Sequence, residues 1–367
     1  MSKKRIRLFA IRDILKKANS IRIFSRPVTS AQLIWNQKMD KPVQFAQLSK
    51  VRLSALVVAT SLAGFGMCPD PCSASAGIVG VTALTVGTAL SSFSANAWNQ
   101  YLEWPYDAQM KRTQSRVLVT GVLSQEQAMA YASVCGLGGT ALLWCGVNPV
   151  AAALGAANIF LYAGVYTPMK RRTVYNTWIG SVVGAVPPMM GWAACSGGRL
   201  DAGAFVLAAI LYAWQFPHFN ALSWNLRDQY SKAGYRMMAD LNQPLCRRTT
   251  LRHSLLLTAI CSLGVPLADL TSWTFAATSL PLNLYMTYLA YGFYQDSNSR
   301  SARQLFRYTL AYLPVLMLLM IASKKAKKKP EELAATGQQK KAIEDGRKSK
   351  RDEEQGAEME SDMHNSN

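Results

Sequence analysis

The chain has 367 residues, 50% of them hydrophobic and 17% charged, and a formal net charge of +19. Clustered cations would suit a nucleic-acid partner, but here they lie between long uncharged runs such as Leu53 to Met67, Ile78 to Ala95 and Phe205 to Phe216. That alternation excludes a soluble globular domain, whose core segments are interrupted by charges, and it removes nucleic acid as a partner.

The first thirty residues hold Lys3, Lys4, Arg5, Arg7, Arg12, Lys16, Lys17, Arg22 and Arg26 against one acid, Asp13, with Ile6, Leu8, Phe9, Ile11, Ile14 and Leu15 interleaved. A basic, acid-poor start without an uninterrupted apolar stretch reads as a mitochondrial transit peptide, with a plain basic arm as the alternative. Residues 1–45 are expected to form this targeting and matrix-side segment, 46–322 the transmembrane domain and 323–367 a charged tail. The tail is rich in Lys, Glu, Gln and Asp and cannot bury enough apolar surface to fold.

Between these ends about nine transmembrane helices can be drawn. They cover 51 to 67, 76 to 98, 126 to 146, 149 to 167, 174 to 194, 202 to 222, 253 to 271, 273 to 293 and 305 to 322. The fold class is therefore all-α, a polytopic membrane bundle. Lys111, Arg112 and Arg116, then Lys170 to Arg172, then Arg227 to Arg252, then Arg300 to Arg307 each follow an even-numbered span. Short loops rich in Lys and Arg stay on the side of insertion, so these loops are expected to face the matrix of the mitochondrial inner membrane. A Lys-rich tail after a ninth span breaks that rule, unless the last span is re-entrant.

The seven cysteines fall mostly inside apolar runs, where a thiol behaves as a small apolar group, and they make no metal-ligand array. Cys68 and Cys72, in the loop Cys68-Pro-Asp-Pro-Cys72, can be a disulfide or two thiols.

Polar chemistry gathers at the loop ends. Asn99, Glu103 and Asp107 fall at i, i+4 and i+8 and share one helix face. Glu103 and Asp107 offer hard oxygens to Mg²⁺, which favours carboxylates together with a substrate's phosphate oxygens, while Lys111, Arg112 and Arg116 can hold diphosphate. The alternative is a helix end that snorkels. Tyr166-Thr-Pro-Met-Lys-Arg-Arg172 brings Lys170 and Arg171 near Asn176, although three cations in a row also suit a topology signal. In Trp214-Gln-Phe-Pro-His-Phe-Asn220, His218 lies within a span beside Pro217 and is either a heme ligand or a hydrogen-bonded core residue. Asn225, Arg227 and Asp228 follow in the loop.

On these residues, with Leu48-Ser-Lys-Val-Arg-Leu53, Asn176-Thr-Trp-Ile-Gly180 and Pro187-Pro188, the chain resembles the UbiA-type intramembrane prenyltransferases over roughly residues 46 to 322. The resemblance implies a helical bundle around a central cavity open to the matrix face and the lipid bilayer. It implies Mg²⁺ held by Asn99, Glu103, Asp107 and Asp228. It also implies donor and acceptor binding by Lys50, Arg52, Lys111, Arg112, Arg116, Tyr166, Lys170, Arg171, Asn176, His218, Asn225 and Arg227. Gln100 and Glu103 depart from the family's Asn-Asp-x-x-Asp-x-x-x-Asp motif in a way that looks like the heme branch. That branch transfers farnesyl from farnesyl diphosphate to a vinyl group of heme B, giving heme O for a downstream heme A synthase and cytochrome oxidase. Trp178, Trp214 and Phe216 can form aromatic walls around the allylic cation, or serve core and lipid-facing packing. A quinone-precursor prenyltransferase and a heme carrier are the competing readings.

Overall fold

The computed structural model describes residues 40–69 and 77–325. The expected transit peptide, Cys72 and nearly all of the expected tail lie outside these residues. The chain separates into two units, Met1–Lys324 and Lys325–Asn367, and the first holds every helix described below.

In chain order the helices are α1 (Lys41–Leu48), α2 (Val51–Met67), α3 (Ile78–Asp107), α4 (Gln125–Gly146), α5 (Pro149–Met169) and α6 (Asn176–Cys195). They continue with α7 (Ala202–Lys232), α8 (Met238–Leu241), α9 (Gln243–Leu267), α10 (Trp273–Asp296) and α11 (Ser299–Ala322). Among the described residues the only β-type pairing is the single bridge Thr271–Lys324. Each of the apolar stretches drawn from the sequence falls on one of these helices. Seven of them are long and apolar enough to cross a membrane, or eight if α1 and α2, bent by 55°, form one span. The expected nine is not reached by that measure. Helix α10, 24 residues long, is not among them; it carries Asn283, Gln295 and four tyrosines, Tyr285, Tyr288, Tyr291 and Tyr294.

The starts follow from local chemistry. Ser124 and Gln127 form a reciprocal capping box at α4. Asn148, Asn242 and Asn298 accept main-chain N–H groups at the starts of α5, α9 and α11. Basic Arg247, Arg248 and Arg252 lie inside α9, which therefore begins about ten residues earlier than its apolar run suggests. His253 sits mid-helix as a result. Helix α5 is widened by a π-helical turn at Leu161–Tyr166, and α9 by another at Ile260–Gly264.

Helices α2, α3, α5, α6, α7 and α11 ring one cavity of about 600 Å³. Helix α4 packs outside α3 and α5, and α9 and α10 pack outside α7 and α11. At the end of the cavity away from the polar loops, α2 crosses α6 at van der Waals distance. A Cβ on Gly64 would lie 2.0 Å from the carbonyl oxygen of Pro188, and one on Gly191 would lie 1.7 Å from that of Ser61. Small residues at such crossings let main chains approach where no hydrophobic effect drives helices together.

Candidate active site

The site is built at the loop end of α3. Asn99, Glu103 and Asp107 lie on one face as their spacing requires, and all three are buried, at 1%, 5% and 2% exposure. Snorkelling heads would be exposed, so the burial separates this group from an ordinary helix end. Burying ionised groups is costly unless they are paired, and each carboxylate has a cation. Lys170 Nζ donates to Glu103 Oε1 at 2.8 Å, and Arg116 pairs with Asp107.

Lys50 arrives from the turn between α1 and α2. It has φ +49°, a left-handed conformation that costs a non-glycine residue free energy unless its surroundings impose it. The surroundings do. Gln100 Nε2 donates to Leu48 O at 2.7 Å and Asn96 Nδ2 to Ser49 O at 3.2 Å, which fixes the turn against α3. Lys50 Nζ then donates to Asn99 Oδ1 at 2.9 Å, and Asn99 Nδ2 to Thr167 Oγ1 at 3.1 Å. Burial lowers the Lys50 ammonium to about 7, and the neighbouring Arg116 pushes in the same direction. Burial also opposes the charge of Lys170, but Glu103 more than restores it, so Lys170 is held well above its ordinary range.

Tyr162 and Tyr166 stack at 5.5 Å on the π-helical turn, and Lys170 Nζ lies 4.5 Å from the Tyr166 ring centre. π-Helical turns recur at functional sites because they redirect side chains within a helix. Both tyrosines line the cavity, which continues away from the charges between Asn96, Asn158 and Ile159 on one side and Trp214, His218 and Leu310 on the other. Asn96 is one helical turn below Asn99, so the charged group caps an otherwise mainly apolar chamber.

His218 lies on the α7 wall, stacked on Trp214 at 4.6 Å. Its Nδ1 is 2.9 Å from Thr309 Oγ1, and that hydroxyl donates to Phe306 O at 2.6 Å. With the Thr309 proton committed, its oxygen accepts, so Nδ1–H is the donor. Nε2 keeps its lone pair and has no partner among the described residues. A neutral imidazole fixed through Nδ1 is the form that binds a metal.

Not every expected residue joins this group. Asp228 is exposed and its one ion pair is a loose 3.9 Å contact with Arg227, whose guanidinium lies over Trp224. Arg52 and Lys111 are exposed. Arg112 reaches Tyr230, and exposed Arg171 lies over the Tyr106 ring, 3.9 Å from its centre, at the rim. Asn176 Nδ2 donates to the carbonyls of Thr173 and Arg236, which ties α6 to the α7–α8 loop. Asn225 Oδ1 is buried without a partner and continues the helical face of His218 toward the charges. Phe216 and Trp178 pack edge to face at 5.4 Å, and neither lines the cavity. Of the expected aromatic walls only Trp214 does.

Tyr162, Thr167 and Tyr235 were not legible as site residues. Tyr235 has a buried hydroxyl with no partner among the described residues, and burial, then the charge of Glu103, pushes its pKa up and keeps it protonated. Only the Tyr162 to Tyr166 spacing of four held a signal.

No group of three or more His, Cys, Asp or Glu side chains able to hold a metal occurs among the described residues. Mg²⁺ does not need one, since it binds through one or two carboxylates and completes its shell with water and phosphate oxygens. Glu103 and Asp107 with the Asn99 amide fit that pattern, and Lys170 and Arg116 supply positive charge where a cation would.

The model of the UbiA prenyltransferase family matches residues 54–312. The chain belongs to that family. Among curated relatives of this UbiA member, the mitochondrial protoheme IX farnesyltransferase of Homo sapiens is 50% identical over 283 residues, covering 77% of this chain and 62% of that protein. The Yarrowia lipolytica protein of the same name is 44% identical over 289 residues, covering 75% and 60%. The chain thus spans less than two thirds of the length of these relatives. Solved structures share the fold. A digeranylgeranylglyceryl phosphate synthase superposes with TM-score 0.65 at 12% identity, covering 78% of this chain and 99% of that one. A UbiA homologue from Aeropyrum pernix K1 gives 0.61 at 16% identity, covering 74% and 98%. A homologue from Archaeoglobus fulgidus bound to GPP and Mg²⁺ gives 0.55 at 12% identity, covering 76% and 99%.

Proposed function

We propose that this UbiA family member transfers the farnesyl group of farnesyl diphosphate to a vinyl group of heme B, forming heme O in the mitochondrial inner membrane. The observation that carries this is the junction of two environments. A buried carboxylate and cation cluster caps an apolar cavity in which His218 presents a bare Nε2. The names of the relatives above support the choice of substrates.

Mg²⁺ held by Glu103, Asp107 and Asn99 would neutralise charge on the leaving diphosphate. Asp228, exposed on the last turns of α7, would have to turn inward to take part. Lys170 and Arg116 supply fixed positive charge that offsets the rest, and Lys50 adds to it in its protonated form. The C1–O bond breaks below them, at the level of Asn96, Tyr162 and Tyr166, and the tyrosine faces stabilise the allylic cation. The cavity keeps water from C1 until a vinyl carbon of the acceptor forms the new C–C bond. Water then adds at the adjoining carbon and loses a proton, which gives the hydroxyl of the product. The decisive assay incubates purified protein with heme B, farnesyl diphosphate and Mg²⁺. Formation of heme O that stops on chelation is expected, and heme bound but unchanged would identify a carrier instead.

His218 is assigned to the acceptor. His218→Ala is expected to shift the Soret band of bound heme and weaken heme binding about tenfold or more, as loss of a metal ligand does. Farnesyl diphosphate affinity should stay within about twofold. An unchanged spectrum with full activity would return His218 to a packing role.

We also infer that the charged cap faces the matrix, because Lys111, Arg112, Arg116 and Lys170 to Arg172 lie there. A cysteine at Gln114 should then be labelled only from the matrix side. Labelling from the intermembrane side would invert the topology and the site with it.

A further inference from the structure

Three arginines on the first turns of α11, Arg300, Arg303 and Arg307, are exposed. None has an ion-pair or side-chain hydrogen-bond partner among the described residues. Their placement on the helix is not uniform. Leu310, Pro314 and Met317 line the cavity. Arg303 lies seven residues before Leu310 and Arg307 seven before Pro314, so both continue the cavity stripe of α11 toward the charged face. Gln304 and Ala311, further round the helix, are uncharged, and the packed face runs through Ser301, Leu305, Thr309 and Tyr312. An arginine placed only to hold the helix end at lipid headgroups has no reason to keep register with a cavity wall.

The same turns of α11 hold His218. Thr309 fixes its Nδ1, and the Phe306 ring lies 5.0 Å from it. Six residues separate Thr309 from Arg303, a rise of about 9 Å along the axis, and an arginine side chain adds its own reach. A planar macrocycle centred on His218 Nε2 carries its acidic groups at about that distance from its metal, all on one edge.

We infer that Arg303 and Arg307 form a carboxylate subsite for the acceptor, engaging the two propionate groups of heme while His218 faces its iron. Guanidinium and carboxylate match as a planar two-point pair. With the acidic edge turned to the rim of α11, the opposite edge points across the cavity toward Tyr162 and Tyr166. This inference rests on the proposed function, and its test separates the two.

Heme B and its dimethyl ester, in which both carboxylates are masked, are titrated into the full chain in nanodiscs of uncharged phosphatidylcholine and followed by the Soret band. The wild type is expected to favour the diacid roughly tenfold, the size expected of partly exposed charged hydrogen bonds. Arg303→Gln with Arg307→Gln should bind both compounds with the affinity of the ester and leave farnesyl diphosphate affinity unchanged. The paired lysine variant, Arg303→Lys with Arg307→Lys, keeps the charge and should recover part of the preference, which excludes misfolding as the cause. Retained discrimination in the glutamine variant overturns the subsite, as does an equal loss for both compounds. No heme binding by the wild type overturns the proposed function as well.

Discussion

Glu103→Gln and Asp107→Asn are each expected to lower heme O formation by about 10²–10³-fold or more, the scale for removing one preorganised group that stabilises developing charge. Both changes keep side-chain shape but leave Lys170 or Arg116 without its ion partner, so turnover is compared per folded protein, with the thermal midpoint of each variant measured alongside. The two losses should not be additive, since both carboxylates are proposed to act on one diphosphate. Glu103→Gln also frees Lys170, so its donor affinity should fall less than its turnover. Normal turnover in both variants, measured at saturating Mg²⁺, would remove the carboxylates from the reaction.

The second large effect is on the fold. Gly191→Ala is expected to destabilise the protein by more than the ~1–3 kcal/mol typical of overpacking, because the obstructing atoms belong to the main chain of α2 and cannot rotate away. Gly184→Ala makes a useful comparison. Its added methyl would meet the amide of Gln215 at 2.3 Å, a side-chain end that can swing aside, so the cost should be smaller. Gly138→Ala meets nothing within 4 Å and should be neutral or stabilising. Thermal midpoints of the three variants in one detergent give the order directly. A Gly191→Ala protein as stable as Gly138→Ala would mean that α2 and α6 do not cross so closely.

The helices were legible because long apolar runs leave a chain in a membrane little choice, and the Asn99, Glu103 and Asp107 face followed from spacing alone. What the sequence hid is explained by contacts distant along the chain. Gln100, read as a departure from a family motif, holds the Leu48 carbonyl and so places Lys50. Asn176, grouped with the substrate residues, donates Nδ2 to two carbonyls of the chain, while its buried Oδ1 has no partner among the described residues. Asp228, expected in a loop, lies instead on α7, which runs ten residues past the span drawn for it, and it turns to solvent. The start of α9 was masked by its arginines, which a hydropathy reading takes for a loop, and His253 was displaced to a helix end for the same reason.

The widened turn at Leu161–Tyr166 gives α5 two phases. In an unbroken α-helix Thr167 would stand about 120° round from Gly155. One extra residue in the turn removes about 100° of that difference, so Thr167 can meet Asn99 while Gly155 and Ile159 still face the chamber. A single span thereby serves an oily compartment along one half and an ionic one along the other, and the change between them is written in main-chain geometry rather than in any one side chain.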